Sequence, residues 1–166
     1  MRRTWLTAAI TALVLGVLVA PISVSAHPHG GYDEVIVGTS GDDSLDGSDG
    51  RDKISGLAGA DTLFGGKGRD LLLGGSGPDN LRGGNLHDEL RGGAGNDKLT
   101  GGLGGDVLFG GSGSDRLLGG PGDDILRSSG DGRRDFVDCG KGKNDRAVVD
   151  ARDVVTGCER ITVTGQ

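Results

Sequence analysis

Aromatic side chains are almost missing from this chain, which has one Trp, one Tyr and three Phe in 166 residues. No large aromatic core can be built from them, so stability has to come from aliphatic residues and from whatever the polar segments bind. Positive charge is also in deficit. The chain has 18 Lys and Arg against 24 Asp and Glu, a formal net charge of −6, which disfavours nucleic acid or an anionic membrane as partner. Catalytic signatures are lacking: there is no HExxH and no P-loop GxxxxGK followed by Ser or Thr. The three histidines, His27, His29 and His87, form no evident Ser/His/Asp arrangement, and the chain gives no reason to expect an enzyme. Beyond the first 26 residues no long apolar segment occurs, so no pore-forming element is expected there. Collagen is excluded although 36 residues are Gly, because the glycines follow no three-residue period.

What the chain has instead is a period of nine. From Gly38 to Arg127, ten nonapeptides follow one another without insertion: GTSGDDSLD, GSDGRDKIS, GLAGADTLF, GGKGRDLLL, GGSGPDNLR, GGNLHDELR, GGAGNDKLT, GGLGGDVLF, GGSGSDRLL and GGPGDDILR. Position 1 is always Gly, position 4 is Gly except at Leu86, and position 8 is Leu except at Ile54. Position 6 is always Asp: Asp43, Asp52, Asp61, Asp70, Asp79, Asp88, Asp97, Asp106, Asp115 and Asp124. A period this strict marks a repeat architecture of stacked units.

Each unit divides into a Gly-rich hexad ending in Asp and a tripeptide centred on an aliphatic residue. Glycines at positions 1, 2 and 4 allow a tight turn with carbonyls aimed inward. The tripeptide suits a short strand whose middle side chain points to one face and whose neighbours point to the other. Stacking then aligns position 8 as an apolar column and position 6 as an acidic one. Aspartates a strand spacing apart, about 4.8 Å, repel one another unless something neutralises them. A single GxGxD would read as an Asp-capped turn. Turn chemistry accepts Asn or Ser as readily, yet neither occurs at position 6 in ten units. Carbonyl and carboxylate oxygens make a hard, all-oxygen donor set, which suits Ca²⁺ with its 6–8 ligands better than Mg²⁺ with its strict octahedron.

These units resemble the RTX, or haemolysin-type, calcium-binding nonapeptide GGxGxDxUx. The resemblance implies an all-β fold, a parallel β-roll solenoid with two nonapeptides, 18 residues, per turn. Short strands would alternate between two parallel sheets, with Ca²⁺ held between Gly-rich turns stacked on the same side. As ligands it implies hexad carbonyls and the position-6 carboxylates, shared between units two apart, from Asp43 with Asp61 to Asp106 with Asp124. That allows at most about eight ions. Against this pattern, the first three units carry Thr39, Ser48 and Leu57 at position 2 in place of Gly, and weaker binding is expected there. Leu86 is the largest departure, because a branched side chain tolerates positive φ poorly. Incomplete occupancy is expected around Asp88. Asp49 and Asn85, at position 3, are either extra oxygen donors or ordinary turn residues.

The flanks are atypical. Residues 1–26 read as an export leader: Arg2 and Arg3, the apolar run from Leu6 to Ala20, Pro21, and a small-residue site with cleavage after Ala26. The run is short for a membrane span, an uncleaved anchor being the alternative. The residues Arg2-Arg3-Thr4-Trp5-Leu6 fit a Sec leader or, loosely, a twin-arginine one. Removal takes the formal charge from −6 to −8 by loss of Arg2 and Arg3. It also delivers a secreted protein to calcium concentrations that suit modest sites. His27-Pro28-His29 would then be a solvated end; Pro28 lacks the N–H that copper sites of this kind deprotonate. Residues 27–37 form an extension and an opening strand. Counting back nine from Leu45 gives Ile36, with Glu34 in the position-6 slot as a cap or, alternatively, a ligand. Outward positions 7 and 9 are mostly polar. Phe64 and Leu118 would share one sheet, and Leu71, Leu73, Val107, Phe109 and Ile125 the other. They are either scattered apolar surface or a patch for a partner or a second copy.

Past Arg127 the count of nine fails, and residues 128–166 read as degenerate turns and a C-terminal cap. Asp135 and Asp145 are read as cap residues, with a last ion as the alternative. Phe136, Val137, Val148 and Val149 supply closing strands, followed by Val154-Val155 and Ile161-Thr162-Val163. Cys139 and Cys158 are expected to pair and staple the cap, as two cysteines in an exported chain normally do. A reactive or metal-binding pair is the other reading, though no CxxC or adjacent His supports it. The expectation is a small secreted calcium-binding protein ordered by Ca²⁺, with no nucleic-acid partner and, once the leader is gone, no membrane partner. The alternative is a calcium-stiffened structural or adhesive surface protein.

Overall fold

Alternation within each nonapeptide decides the architecture, because it leaves one aliphatic side chain per unit to bury. A computed structural model describes residues 22–24, 32–128 and 130–165. Most of the leader and His27-Pro28-His29 lie outside these residues. The described residues hold no helix and sixteen strands: β1 (Ile22–Val24), β2 (Glu34–Val37), β3 (Ser44–Asp46), β4 (Asp52–Ala58), β5 (Thr62–Lys67), β6 (Leu71–Ser76), β7 (Asn80–Asn85), β8 (Glu89–Ala94), β9 (Lys98–Leu103), β10 (Val107–Ser112), β11 (Arg116–Pro121), β12 (Ile125–Arg127), β13 (Phe136–Lys141), β14 (Arg146–Asp150), β15 (Val154–Thr156) and β16 (Arg160–Thr164). Even-numbered strands form one sheet with β1 added beside β2, and the odd-numbered strands from β3 to β15 form the other.

Within the repeats every strand pairs in parallel with the one a full turn later. Ile54 lies beside Leu72, Leu63 beside Leu81, and Leu72 beside Leu90. This is the parallel β-roll with 18 residues per turn. The strands are longer than the tripeptide that seeds them. Most run on through the first three residues of the next hexad, so Gly66 pairs with Gly84 and Gly75 with Gly93 around the corner. Between the sheets Ile36, Leu45, Ile54 and the position-8 leucines stand in single file, all buried. Fully burying each contributes about 1.5–3 kcal/mol.

The roll continues beyond Arg127. Leu117 pairs with Val137 and Leu126 with Ala147, so the extra residues are taken up in two longer turns and the sheets stay in register. Residues 130–165 thus continue both sheets with β13 to β16, the closing strands expected there. Cys139, buried in β13, is disulfide-bonded to Cys158 in the turn between β15 and β16. Closing a loop of 19 residues contributes roughly 3 kcal/mol in the chain-entropy treatment. At the other end, Glu34 pairs with Asp52 and Ile36 with Ile54, which is the register expected of the opening strand. β1, inside the stretch read as a leader, pairs antiparallel with β2.

Apolar residues on the outer faces fall in the expected sheets. Phe109 is flanked by the guanidinium groups of Arg91 at 5.2 Å and Arg127 at 5.7 Å, and Arg116 lies 4.5 Å over Phe136. Such contacts contribute about 0.5–1 kcal/mol at exposed sites, and they keep the rings from forming a bare patch.

Ser48, Leu57 and Leu86 take the positive-φ backbone that glycine holds at these positions in most of the other units, with φ of 69°, 82° and 75°. The turn at Leu86 therefore keeps its shape and carries the strain in the backbone. An L-residue pays about 1–2 kcal/mol there. Leu57 and Leu86 are 48% and 57% exposed, so little burial is lost on replacing them. Leu86→Gly is expected to raise stability by about 0.5–1 kcal/mol after the entropy cost of glycine. Leu103→Gly, at an equally exposed site without positive φ, is expected to lower it. Urea denaturation in calcium checks the two signs.

Candidate metal centre

The Gly-rich turns stack so closely that each position-6 carboxylate is enclosed by backbone. One oxygen is accounted for. The N–H of each Asp donates to Oδ1 of the Asp one turn later: Asp52 to Asp70 at 2.8 Å, Asp79 to Asp97 at 2.8 Å, Asp106 to Asp124 at 2.7 Å. The same bond links Asp43 to Asp61, Asp61 to Asp79, Asp70 to Asp88, Asp88 to Asp106 and Asp97 to Asp115. These side-chain bonds form a ladder along each row of turns.

The other oxygen is not accounted for. Oδ2 of Asp52, Asp61, Asp70, Asp79, Asp88, Asp97, Asp106, Asp115, Asp124, Asp135 and Asp145 is buried without a hydrogen-bond partner. Leaving so many acceptors unsatisfied is costly, and more so if they are ionised. The position-1 glycines show what surrounds them. A Cβ added at Gly47 would stand 2.7 Å from Asp52 Oδ2 and 2.8 Å from the carbonyl oxygen of Gly65. Gly65, Gly83, Gly101 and their counterparts meet the same two kinds of oxygen. The Oδ2 atoms of Asp52, Asp61, Asp70, Asp79, Asp88, Asp97, Asp106 and Asp124 thus each face a cradle that only glycine leaves open, with a main-chain carbonyl of the next turn on its rim. Among the described residues no three Asp, Glu, His or Cys side chains converge, so carbonyls must complete any coordination shell. A donor set of one carboxylate oxygen per turn plus carbonyls fits a hard cation of the calcium type.

The RTX calcium-binding nonapeptide repeat model matches residues 30–63, 37–72, 46–81, 73–108, 82–117 and 100–132, together more than half of the chain. The chain belongs to the RTX calcium-binding nonapeptide repeat family. No curated protein matches it. RTX repeats bind Ca²⁺, and the orphaned Oδ2 atoms mark where these RTX turns have oxygen to offer.

Nine of the ten position-6 aspartates share this environment. Asp43 differs, because the N–H and hydroxyl of Thr39 both donate to its Oδ2, at 2.6 and 3.0 Å. Thr39, where RTX units usually have Gly, supplies its own partner. Asp135 and Asp145 join the column instead of acting only as caps, accepting from the N–H of Asp115 and Asp124 at 2.7 Å each. Their signal in the sequence is Asp followed two residues later by an aliphatic residue, Val137 and Ala147, once insertions in the turns are allowed. The ends are closed in kind: Glu34 N–H donates to Asp52, Asp135 N–H to Asp153, and Asp145 N–H to Glu159. Asp49 forms an exposed ion pair with Lys67 at 3.2 Å, an ordinary surface contact. A second ladder lies at position 5, where Asp42 accepts from Ala60 N–H, His87 from Gly105 N–H and Asn96 from Ser114 N–H.

Burial, with repulsion from neighbouring aspartates adding to it in most of them, raises these carboxyl pKa values, partly offset by the N–H each accepts. Asp52, Asp97 and Asp115 are pushed up to about 6, and Asp88, Asp124 and Asp135 to about 7. A folded-state pKa above the unfolded value means that the fold binds the extra protons. Their contribution to stability is full below about pH 4 and is lost as pH rises through 6 to 7. In EGTA the roll is therefore expected to be more stable at pH 5 than at pH 7.5. In millimolar calcium, with proton and cation competing for Oδ2, the order is expected to reverse. Urea midpoints at the two pH values, with and without calcium, check both signs.

Proposed function

We propose that this RTX protein is an exported module whose folding is driven by Ca²⁺ held between its turns. The observation that carries this reading is the row of buried, unpartnered Oδ2 atoms beside main-chain carbonyls. Residues that would hold the ions are Asp52, Asp61, Asp70, Asp79, Asp88, Asp97, Asp106, Asp115 and Asp124, each with carbonyls of its own and the next turn. Asp135 and Asp145 extend the set, and Asp43 is its weakest member because Thr39 already occupies it. The bound cation supplies positive charge where the stacked carboxylates repel. One site saturated at 100 times its Kd adds about 2.7 kcal/mol. Several such sites outweigh the thin aliphatic column, and without them glycine entropy and repulsion unfold the turns.

Residues 1–26, read as an export leader, support a place outside the cytoplasm, where calcium is plentiful. Its role there is binding and mechanical order, with no catalysis. The second reading, a calcium-stiffened structural or adhesive rod, draws on the half-buried apolar residues of the outer faces, such as Leu71, Leu73 and Val107.

Circular dichroism of the chain in EGTA and then in millimolar CaCl₂ tests the proposal. A large gain of β signal is expected; equal signal in both would defeat it. Isothermal titration is expected to return several ions, at most about eight. Asp97→Asn keeps the Oδ1 acceptor and removes the charge. It is expected to lower the stoichiometry and steady the metal-free chain, whereas a purely turn-capping Asp97 would leave the calcium response unchanged.

A further inference from the structure

The outer face of the even-numbered sheet changes character toward its C-terminal end. On β8, Arg91 is matched by Glu89 at 2.6 Å. Among the described residues no such matching occurs from β12 onward. Ile125 and Arg127 face outward on β12, Arg146 and Val148 on β14, and Arg160 and Thr162 on β16, and they line one shallow depression of about 420 Å³. Arg146 and Arg160 are direct neighbours across two parallel strands, a placement of like charges that destabilises a sheet. Arg127 stands on the strand next to Arg146. None of the three forms an ion pair among the described residues. In a chain with more acidic than basic residues, three clustered, unmatched guanidinium groups with an apolar floor suit an occupant of opposite charge.

We propose that this face binds an acidic polysaccharide, whose carboxylate or sulfate groups are taken by Arg127, Arg146 and Arg160. Three features select that ligand class. Arginine presents a planar fork of donors that matches carboxylate and sulfate oxygens in pairs. The trio spans β12 to β16, two strand spacings or about 10 Å. That is too wide for a single small oxyanion and fits acidic groups repeated along a chain. Ile125 and Val148 between the arginines offer a flat apolar floor for the C–H face of a sugar ring. Single-stranded nucleic acid is less well served, because it needs open aromatic platforms for its bases. Phe109, an aromatic ring beside this face among the described residues, is covered by Arg91 and Arg127. The site lies on the outer sheet face, away from the aspartate turns, so it is additional to calcium binding.

The test uses the full chain in millimolar CaCl₂ on immobilised heparin and on a polyuronate, with neutral dextran as control. Salt-sensitive retention on the acidic polymers and none on dextran is expected. The double variant Arg146→Ala with Arg160→Ala is expected to lose about tenfold in affinity, as loss of charge-assisted hydrogen bonds should produce. Arg82→Ala with Arg116→Ala removes the same charge from the other sheet and is expected to change affinity less than twofold. Circular dichroism in calcium confirms that both variants keep the roll, so that a loss of binding reports on the face alone. Absence of retention in the parent chain, equal losses in the two double variants, or tighter binding to single-stranded DNA or a phosphopeptide would each overturn the proposal.

Discussion

A carboxylate with one oxygen bonded to the turn before it and the other left bare is the element on which the rest of this roll depends. Its Oδ1 is what keeps successive turns in step. The evidence lies where the repeat breaks down. Between Asp115 and Asp135 the spacing is 20 residues and between Asp124 and Asp145 it is 21, yet the N–H to Oδ1 bond is 2.7 Å in both. Extra residues bulge out of the turns while the aspartate stays in line. The period of nine is thus a consequence of the ladder, and the ladder outlasts the period.

The same carboxylate explains why the core can be so narrow. With one aliphatic side chain per unit between the sheets, burial alone cannot offset the ordering of a backbone this rich in glycine. On the proposed reading the turns add stability of their own, which main-chain carbonyls and Oδ2 atoms facing one another do not supply unaided, since all are acceptors. Protons or cations entering there would supply it. Burial raises the aspartate pKa values toward neutrality, which is the proton's answer. Glycine at position 1 leaves that cradle open, and on the proposed reading the cation is the other answer.

Most of this was legible from residue type and spacing. Asp43 to Asp124 and the leucines announced two columns because each recurred at a fixed offset, and strand alternation then left one arrangement that buried the leucines. The parts that were not legible depend on neighbours 18 residues away. Leu86 looked like a broken turn, but the stacked turns before and after it impose φ of 75° on a residue that would not choose it. Thr39 looked like a lost glycine, and its hydroxyl proves to satisfy Asp43. Asp135 and Asp145 were hidden by insertions that shift count without shifting register. The stacking of Arg91 and Arg127 on Phe109 needed the pairing of β8, β10 and β12, which turns isolated outward residues into a row.

Charge is divided by position within the nonapeptide, and that division links the two faces of the molecule. Acidic groups at position 6 are drawn into the turns, while most of the arginines on the strands stand at positions 7 and 9, facing out from the sheets. The excess of acid over base therefore belongs largely to buried oxygen, and the sheet faces are locally basic. Cations held in the turns would cancel the first without touching the second. The field reaching a partner would then be that of Arg127, Arg146 and Arg160, little opposed. A chain whose formula is acidic would present a basic surface, and the ions that close the turns would set its sign.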